Sequence, residues 1–478
     1  MKFNEFKKPI GSSILMPEIY EIKGHIFGRI IAIFSQEINF VSSFLTKLPK
    51  FRNKSANSLN KFKNLSLSSL GGMLETYDFL IFVFFIQYIS KAFFPSYLGD
   101  FWRDLAAYGL FAAGYILRPF GGVILAHFGD KFGRKSVFIL SLILMVIPIF
   151  VISVLPTFES IGYAAPIIML IMRMMQGISF GGELPQAWVF VYEHSDPKQK
   201  GFFLGFISAA TIFGTLFATV VTLVIHQSFE VSSIQDFAWR VPFLLGTIFG
   251  VSSIYLRRFL NETPVFQEMK KHNKTGKFPL KDLLKAPKTS FVMAFFISIA
   301  MTGIVLVMQL FLPNFMQASL GFSKIQASYM QLFGLICLIA GNLIVGNLAD
   351  KFGVSKVAMI FAVLLAISSF GVFAQIYLYK NISLLVFLYF IAEISAGIMT
   401  FAPLIMCDVF KAKYRLSAIS LIYNVSYAIS GSLSPQAIFA LHSLALGGGM
   451  LFLGIYGYMF VICALVFASG LIYKWQKY

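Results

Sequence analysis

Two carboxylates lie inside an apolar stretch near the start of the chain. Within residues 71–85, "GGMLETYDFLIFVFF", Glu75 and Asp78 are the only charged residues, and the flanking charges are Lys63 and Lys91. A helix that starts just after Lys63 reaches Glu75 after about 17 Å, close to the middle of an apolar membrane core about 30 Å thick. Because each charge at that depth costs about 2.5–3.5 kcal/mol, the pair predicts a functional role.

The spacing of this pair suggests which chemistry the two groups share. Residues three apart lie on one side of a helix, so Glu75 and Asp78 are expected to share an inward face. A buried carboxyl group can bind and release a proton, which suits the coupling of transport to protons. The alternative is a structural pair that hydrogen-bonds to neighbouring helices, and the spacing alone leaves both interpretations open.

Two further charges stand in apolar segments. Arg118 lies fourteen residues after Asp104 and twelve before Asp130. Its guanidinium keeps its charge and forms a two-pronged hydrogen bond with carboxylates. It could therefore bind Glu75 or Asp78, or the carboxylate of a solute. Glu393 belongs to no motif, and an intramembrane acid is by default a functional candidate.

Composition and charge place the chain in a membrane. The chain has 478 residues, of which 58% are hydrophobic and 13% charged, whereas a soluble domain carries about 25% charged residues. Of 39 Lys and Arg, 32 fall in the first 68 residues, in alternate connections along the chain, or after Tyr473. This distribution follows the positive-inside rule rather than the pattern of a nucleic-acid-binding face. The connections concerned are 130–135, 198–200, 257–288, 351–356 and 411–415.

The sequence gives no support to an enzymatic function. Its three cysteines and six histidines are dispersed, so that no disulfide pairing or metal-ligand spacing is evident. Motifs for a nucleophilic serine or for phosphate binding are also missing from the sequence. We therefore expect neither a catalytic residue, nor a metal, nor a cofactor.

Apolar segments predict an all-α membrane protein with twelve transmembrane helices in two pseudo-symmetric six-helix bundles. A polar stretch at 260–288 divides the spans six and six, and its lysines place it and both termini in the cytoplasm. The predicted spans are 66–90, 104–127, 136–156, 163–191, 201–227, 240–259, 289–312, 325–349, 356–379, 383–407, 416–441 and 448–473. The predicted domains are an extension at 1–64, bundles at 65–260 and 289–478, and an interdomain loop at 261–288.

The extension has a composition of its own. Residues 25–46 are apolar but interrupted by polar side chains, and we interpret them as an amphipathic helix on the cytoplasmic surface. A basic, flexible linker is expected to follow it. A disordered extension is the alternative.

The two halves of the chain echo each other at one loop. The connection between spans 2 and 3, "AHFGDKFGRKSV" at 126–137, matches "GNLADKFGVSKV" at 346–357 with a constant offset of 220. Corresponding loops in tandem halves indicate a transporter whose site lies between two bundles.

At these loops the sequence resembles the major facilitator superfamily. "RMMQGISFGGE", "LETYDF", "YILRPFGG", "WRVPFLLG" and "YNVSYAISGSLSP" appear in the order found in its metabolite:proton symporters, such as proline/betaine, citrate and 2-oxoglutarate permeases. The resemblance covers about residues 65–475 and departs from the subfamily at Thr76 and at Leu184–Gln186. It implies proton-driven uptake of a small carboxylate or zwitterion.

The resemblance also implies roles for particular residues. It associates Arg173 of span 4 with proton transfer. Glu183, about 15 Å further along the same helix, is expected to brace span 2 or span 5. The loop motifs imply a latch that holds one face closed, in which Gly129 and Gly133 allow a tight turn and Val354 makes the second copy the weaker one. The gating residues are Gly129, Asp130, Gly133, Arg134, Asp350 and Gly353.

Three aromatic residues and one asparagine on polar helix faces are candidates for a cavity lining. A Trp or Tyr face could hold a quaternary ammonium group by cation–π attraction, although packing between helices is the simpler role. These candidates are Trp188, Tyr192, Tyr423 and Asn424.

We therefore predict a monomeric secondary transporter of a bacterial cytoplasmic membrane. Its partners would be a small organic solute, protons and the lipid bilayer, with no nucleic acid. Export of a metabolite or drug on the same scaffold, and a transporter-like sensor, are the alternatives.

Overall fold

The computed structural model describes residues 56–272, 279–283, 286–444 and 451–477. The predicted amphipathic helix at 25–46 therefore lies outside the described residues, as do the first residues of the predicted linker at 51–69 and part of the predicted loop at 261–288. From Ala56 onward the predicted linker is helical, because it forms the start of the first long helix, Ala56–Phe84, and the prediction of a flexible segment is wrong there. Throughout the described ranges the regular secondary structure is helical, as the sequence predicts.

Twelve long helices follow one another along the described part of the chain. Among the described residues, eleven helical segments are long and apolar enough to cross a membrane, and they occupy eleven of the twelve predicted spans. The 30-residue helix Arg415–Leu444 occupies the remaining one. In chain order the helices are α1 Ala56–Phe84, α2 Gly99–Phe132, α3 Arg134–Val154, α4 Ala164–His194, α5 Lys200–Ser228, α6 Val241–Arg257, α7 Lys288–Val305, α8 Lys324–Phe352, α9 Val354–Ala374, α10 Ile382–Ser395, α11 Arg415–Leu444 and α12 Leu451–Lys477.

Several spans are less regular than a continuous apolar run predicts. Span 1 continues beyond α1 as Ile86–Phe93, and span 7 passes through a π-helical segment at Leu306–Phe311 before Leu312–Leu320. Span 10 tightens into a 3-10 segment at Ala396–Thr400 before Phe401–Val409. Such interruptions in long helices often mark functional positions.

Glycine contacts set how closely the helices pack. A Cβ added to Gly177 of α4 would lie 2.0 Å from the carbonyl oxygen of Gly114 in α2, which no side chain could tolerate. Between the halves, a Cβ on Gly346 of α8 would lie 2.3 Å from the carbonyl oxygen of Gly201 in α5. Small residues of this kind allow helix backbones to approach closely within a membrane.

The two halves of the chain pack together reciprocally. Helix α2 of the first half packs on α11 of the second, and α8 of the second half packs on α5 of the first. Since α2 corresponds to α8 and α5 to α11, the two contacts repeat one another. Both pairs position the residues described next.

Candidate functional site

Glu75 and Arg118 form a buried ion pair between α1 and α2. The Arg118 Nη2 donates to Glu75 Oε1 at 2.8 Å, and both side chains are almost entirely buried. The other carboxylate oxygen, Oε2, accepts no hydrogen bond from the described residues. Of the partners that the sequence left open for Arg118, the structure pairs it with Glu75.

Arg118 also connects the first half to α11. Its Nε donates to Asn424 Oδ1 at 3.0 Å and its Nη2 to the Tyr423 hydroxyl at 3.3 Å. The guanidinium carbon lies 4.7 Å from the ring centre of Tyr427, which is within the range of a cation–π contact. One buried cation therefore joins the two halves at mid-membrane depth.

Asp78 belongs to a second cluster, between α1 and α4. Gln176 Nε2 donates to Asp78 Oδ2 at 2.6 Å, and Arg173 Nη1 lies 3.9 Å from the same oxygen. Arg173 in turn donates to Gln176 Oε1 at 2.8 Å and stacks 4.0 Å from the ring centre of Phe82. Asp78 Oδ1 has no hydrogen-bond donor among the described residues. Glu75 and Asp78, the two acids of residues 71–85, therefore face different arginines.

A small cavity of about 10 Å³ lies between the two clusters. That is about the room that one water molecule occupies. Both Arg118 and Arg173 contribute to its wall, so a water there would lie between the Glu75 and Asp78 pairs. The lining residues are Phe79, Gly114, Tyr115, Arg118, Arg173 and Phe180.

Glu183 braces two helices other than the expected ones. Arg257 of α6 grips the carboxylate with both terminal nitrogens, at 2.5 and 3.2 Å, and Ser141 of α3 donates to it at 2.6 Å. The sequence-based expectation of span 2 or span 5 is thus wrong about the partners, because the inward turn of α4 at this depth faces α3 and α6. A Cβ on Gly71 of α1 would overlap this pair.

The carboxylate of Asp130, a residue of α2 in the first half, lies at the N-terminus of α11 in the second half. Its carboxylate accepts from the backbone N–H groups of Leu416, at 3.4 Å, and Ser417, at 2.8 Å, which are the second and third residues of that helix. Arg134 pairs with Asp130 at 3.0 Å and donates to the carbonyl oxygen of Ala412 at 2.7 Å. A carboxylate at a helix N-terminus satisfies free N–H groups and the helix dipole.

Asp350 repeats this arrangement in the other direction. Its carboxylate accepts from the N–H groups of Gly201, at 2.7 Å, and Phe202, at 2.9 Å, again the second and third residues of the helix, here α5. Val354 stands where Arg134 stands in the first copy and has no donor to offer a carbonyl. We refer to the end of the molecule that carries Asp130 and Asp350 as the gating face; at this face the two caps join the halves.

Further charges join the halves at the gating face. Glu193, at the end of α4, accepts from Arg415 at 2.9 Å and from Thr263 at 2.7 Å, and it pairs with Arg134 at 3.4 Å. Asp408, near the end of span 10, accepts from the Tyr192 hydroxyl at 2.6 Å. Two acids at corresponding helix ends therefore bind groups from the other half.

The three gating glycines differ in what they do. Gly133 and Gly353 have φ values of +122° and +92°, which favour glycine and end α2 and α8. Gly129, in contrast, is helical, and a Cβ there would lie 2.6 Å from Leu416 Cδ2. The expectation that Gly129 allows a tight turn is therefore wrong; it allows α11 to approach α2.

The four candidates for a cavity lining are buried between the halves. Trp188 packs edge-on against Tyr423, with ring centres 4.9 Å apart, and Asn424 Nδ2 donates to the carbonyl oxygen of Gly181 at 2.7 Å. Tyr192 lies at the gating face instead. In this closed arrangement they are contacts between halves, and their exposure to a solute stays a prediction.

Glu393 lies apart from these clusters, in the second half. Gln309 of span 7 donates to both of its carboxylate oxygens, at 3.1 and 3.0 Å, and the side chain is fully buried. The structure thus brings Glu75 with Arg118 and Asp78 with Arg173 to the two sides of one small cavity, places Glu183 next to Gly71 of α1 in its own pair with Arg257, and leaves Glu393 apart in the second half.

Several contributing residues escaped sequence reasoning. Gln176 stands within "RMMQGISFGGE", which carries the family resemblance, and Arg257 ends an apolar span; the polarity of both side chains was the available signal. Glu193 and Asp408 gave a weaker signal as acids at two helix ends. Tyr427 also stands in such a stretch, "YNVSYAISGSLSP", but its position there does not identify Arg118 as its partner.

Comparison with known proteins agrees with this geometry. The chain is 26% identical to the proline/betaine transporter of Escherichia coli strain K12 over 388 residues, which cover 77% of this chain and 75% of that protein. It is 27% identical over 379 residues to a putative proline/betaine transporter of Staphylococcus aureus strain MSSA476, covering 78% and 80% of the two chains.

The fold is also that of a solved transporter. The structure of the proton:xylose symporter XylE, bound to 6-bromo-6-deoxy-D-glucose, superposes with a TM-score of 0.70 at 16% identity, covering 88% of this chain and 96% of that one. The family model of the Major Facilitator Superfamily matches residues 70–435. That match covers most of the chain and all of the clusters described above, and the protein is a multi-pass membrane transporter of the major facilitator superfamily.

Proposed function

We propose that the protein takes up a small carboxylate or zwitterion, of the proline or betaine kind, together with protons by alternating access. The observation that carries this proposal is the Asp78 cluster: a buried carboxyl group with one oxygen that accepts no hydrogen bond from the described residues, next to Arg173. Such a group can take up a proton and weaken its pairing with the arginine. Glu75 offers a second carboxyl group nearby.

Arg118 is the proposed contact for the solute's carboxylate. Its Nη2 binds the carboxylate of Glu75 and the Tyr423 hydroxyl, and its Nε donates to Asn424, so its contacts with α11 are with neutral groups. A solute carboxylate could replace those neutral groups and form a two-pronged pair. The rings of Tyr423 and Tyr427, which now face the guanidinium, would then suit an ammonium group. The names of the bacterial relatives support this solute class.

We further propose that the gating face is cytoplasmic, with both termini on the same side. The distribution of Lys and Arg supports this orientation. The structure then corresponds to a state closed toward the cytoplasm. Division of the chain into bundles at 65–260 and 289–478, joined by the loop 261–288, remains part of the same proposal, as does a monomer in a bacterial cytoplasmic membrane.

The orientation predicts opposite reactivity at two exposed positions. A cysteine introduced at Lys411, on the gating face, should react with an impermeant thiol reagent only after cells are permeabilised, whereas a cysteine at Glu230, between α5 and α6, should react in intact cells. The three native cysteines are buried, so the unmodified chain serves as the blank. Labelling of the Lys411 variant in intact cells would contradict the proposed orientation and place the gating face outside the cell.

Asp130→Asn should slow transport severalfold and leave the affinity for solute nearly unchanged. The amide keeps one acceptor but loses the ion pair with Arg134, which loosens the cap on α11 and the closed gating face. Initial uptake rates and solute binding to purified protein measure the two quantities. Asp350→Asn is the matched variant at α5, and we expect the same direction of change. Tenfold weaker binding with a normal turnover would contradict the assignment of Asp130 to the gate.

Uptake by the purified protein tests the function itself. Proteoliposomes with an alkaline interior should accumulate labelled proline or glycine betaine, and a protonophore should abolish the accumulation. An Arg118→Lys variant should bind the solute more weakly, because it loses the guanidinium's two-pronged geometry. Solute efflux driven by an inward proton gradient would indicate an exporter instead. Solute binding without flux would indicate a sensor.

A further inference from the structure

Glu393 is a buried acid whose described hydrogen-bond partners are neutral. Its carboxylate is fully buried, and the donors that face it, Gln309 Nε2 and the Tyr389 hydroxyl, are neutral. The thiol of Cys337, on α8, is the other titratable group near it. Within the described part of the chain, no Lys, Arg or His forms an ion pair with it. An uncompensated carboxylate at this depth is costly, so a cation is needed to balance it.

The amide that faces Glu393 has a vacant acceptor. Gln309 is almost fully buried, and its Oε1 accepts no hydrogen bond from the described residues. A protonated carboxyl group carries an O–H donor, which a rotated Gln309 amide could accept at this oxygen. The cluster therefore has a satisfied arrangement for the protonated acid, whereas the charged form leaves Gln309 Oε1 without a partner.

The helix that carries Gln309 is interrupted at the same place. Gln309 lies in the π-helical segment Leu306–Phe311, and Pro313, four residues later, has no N–H to donate to the Gln309 carbonyl. The side chain of Gln331, on α8, donates to that carbonyl at 2.9 Å instead. At this point span 7 is therefore held by side-chain hydrogen bonds from α8 and to Glu393 as well as by π-helical backbone bonds, such as that from the Leu312 N–H to the Val307 carbonyl.

We propose that Glu393 is a second proton-binding site, located in the second half of the chain and separate from the Glu75 and Asp78 clusters. Glu393 takes a proton from water to become a neutral carboxylic acid and returns it to water when the charged form is restored. Each change rearranges the hydrogen bonds at the break in span 7, so the proton affects how firmly the two parts of that span are joined. Its part in transport rests on the proposed function, whereas proton binding is a property of the purified chain.

Infrared difference spectroscopy tests proton binding without any solute. Spectra of the full-length protein in lipid nanodiscs, recorded between alkaline and acidic buffers, should show the carbonyl band of a protonated carboxyl group. Because Asp78 and Glu75 are proposed to take up protons as well, we expect one component of this band to persist in a Glu75→Gln/Asp78→Asn double variant and that same component to be absent from Glu393→Gln. A Glu393→Gln spectrum that keeps every carboxyl band of the unmodified protein would overturn the proposal.

Two further measurements keep the test decisive. If Glu393→Gln does not fold, Tyr389→Phe removes one donor and keeps the carboxyl group, so the band should move in frequency; an unmoved band contradicts the assignment. If sodium chloride abolishes the band that choline chloride leaves in place at the same pH, the site takes a metal cation and the proton assignment fails. A lack of transport with proline or betaine, with the band present, would reject the proposed solute and not the proton site.

Discussion

Arg257→Met is expected to lower the free energy of unfolding by about 3–5 kcal/mol, the cost of leaving one partner of a buried ion pair uncompensated. Arg257 and Glu183 are both fully buried, and Arg257 holds the carboxylate through two nitrogens and the carbonyl of Phe138 through one. Thermal stability in detergent and the yield of folded protein would measure the loss.

Two matched variants separate this pair from other causes. Arg258→Met, at the neighbouring exposed position, should change stability little, because its charge remains in contact with solvent. Combining Glu183→Leu with Arg257→Met removes both charges and should recover most of the lost stability. If the double variant is as unstable as Arg257→Met alone, the pair is not the source of the stability.

Asp78→Asn should abolish proton-driven accumulation while exchange of solute at equal pH continues. The amide is nearly isosteric with the carboxyl group and can still accept from Gln176, but it cannot take up a proton. Accumulation and exchange in the same proteoliposomes provide the measurement. Asp104→Asn, which makes the same change in another acid of the first half, should keep both activities.

The structural alternative for Asp78 gives a different result. If the carboxylate serves only to compensate Arg173, the variant leaves a buried arginine without its ion pair and should express poorly. Arg173→Gln should then restore expression without restoring accumulation. Normal expression with undiminished proton-driven accumulation would reject both roles for Asp78. Proton coupling would then be assigned to Glu75, to Arg173 or to another acidic residue.

The sequence predicts the elements better than their partners. Twelve spans follow from apolar runs near 20 residues, and the reciprocal loops follow from the repeated residues around Asp130 and Asp350. The apolar runs are a local signal, and the repeated loops are found by comparing one segment of the sequence with another. Both can therefore be recognised without knowing how the helices pack.

Partner choice, in contrast, depends on how neighbouring helices are rotated and how closely they approach. Glu75 and Asp78 share one face by spacing, yet one meets Arg118 and the other Arg173, because glycine contacts such as Gly114 with Gly177 set the positions of α2 and α4. The break in span 7 was missed for another reason. Pro313 shows in the sequence, but the donor that replaces its missing N–H comes from α8.

If the gating face opens and closes as we propose, the reciprocal caps at Asp130 and Asp350 also determine how the ratio of closed to open protein changes when a cap is lost. A helix cap is worth about 1 kcal/mol, which corresponds to about a fivefold change in a population ratio. The two caps act on different helix pairs, so their effects should add, and losing both should shift the ratio about 25-fold. A lineage could therefore weaken one cap and retune how long the transporter rests closed, while the other cap keeps that state populated.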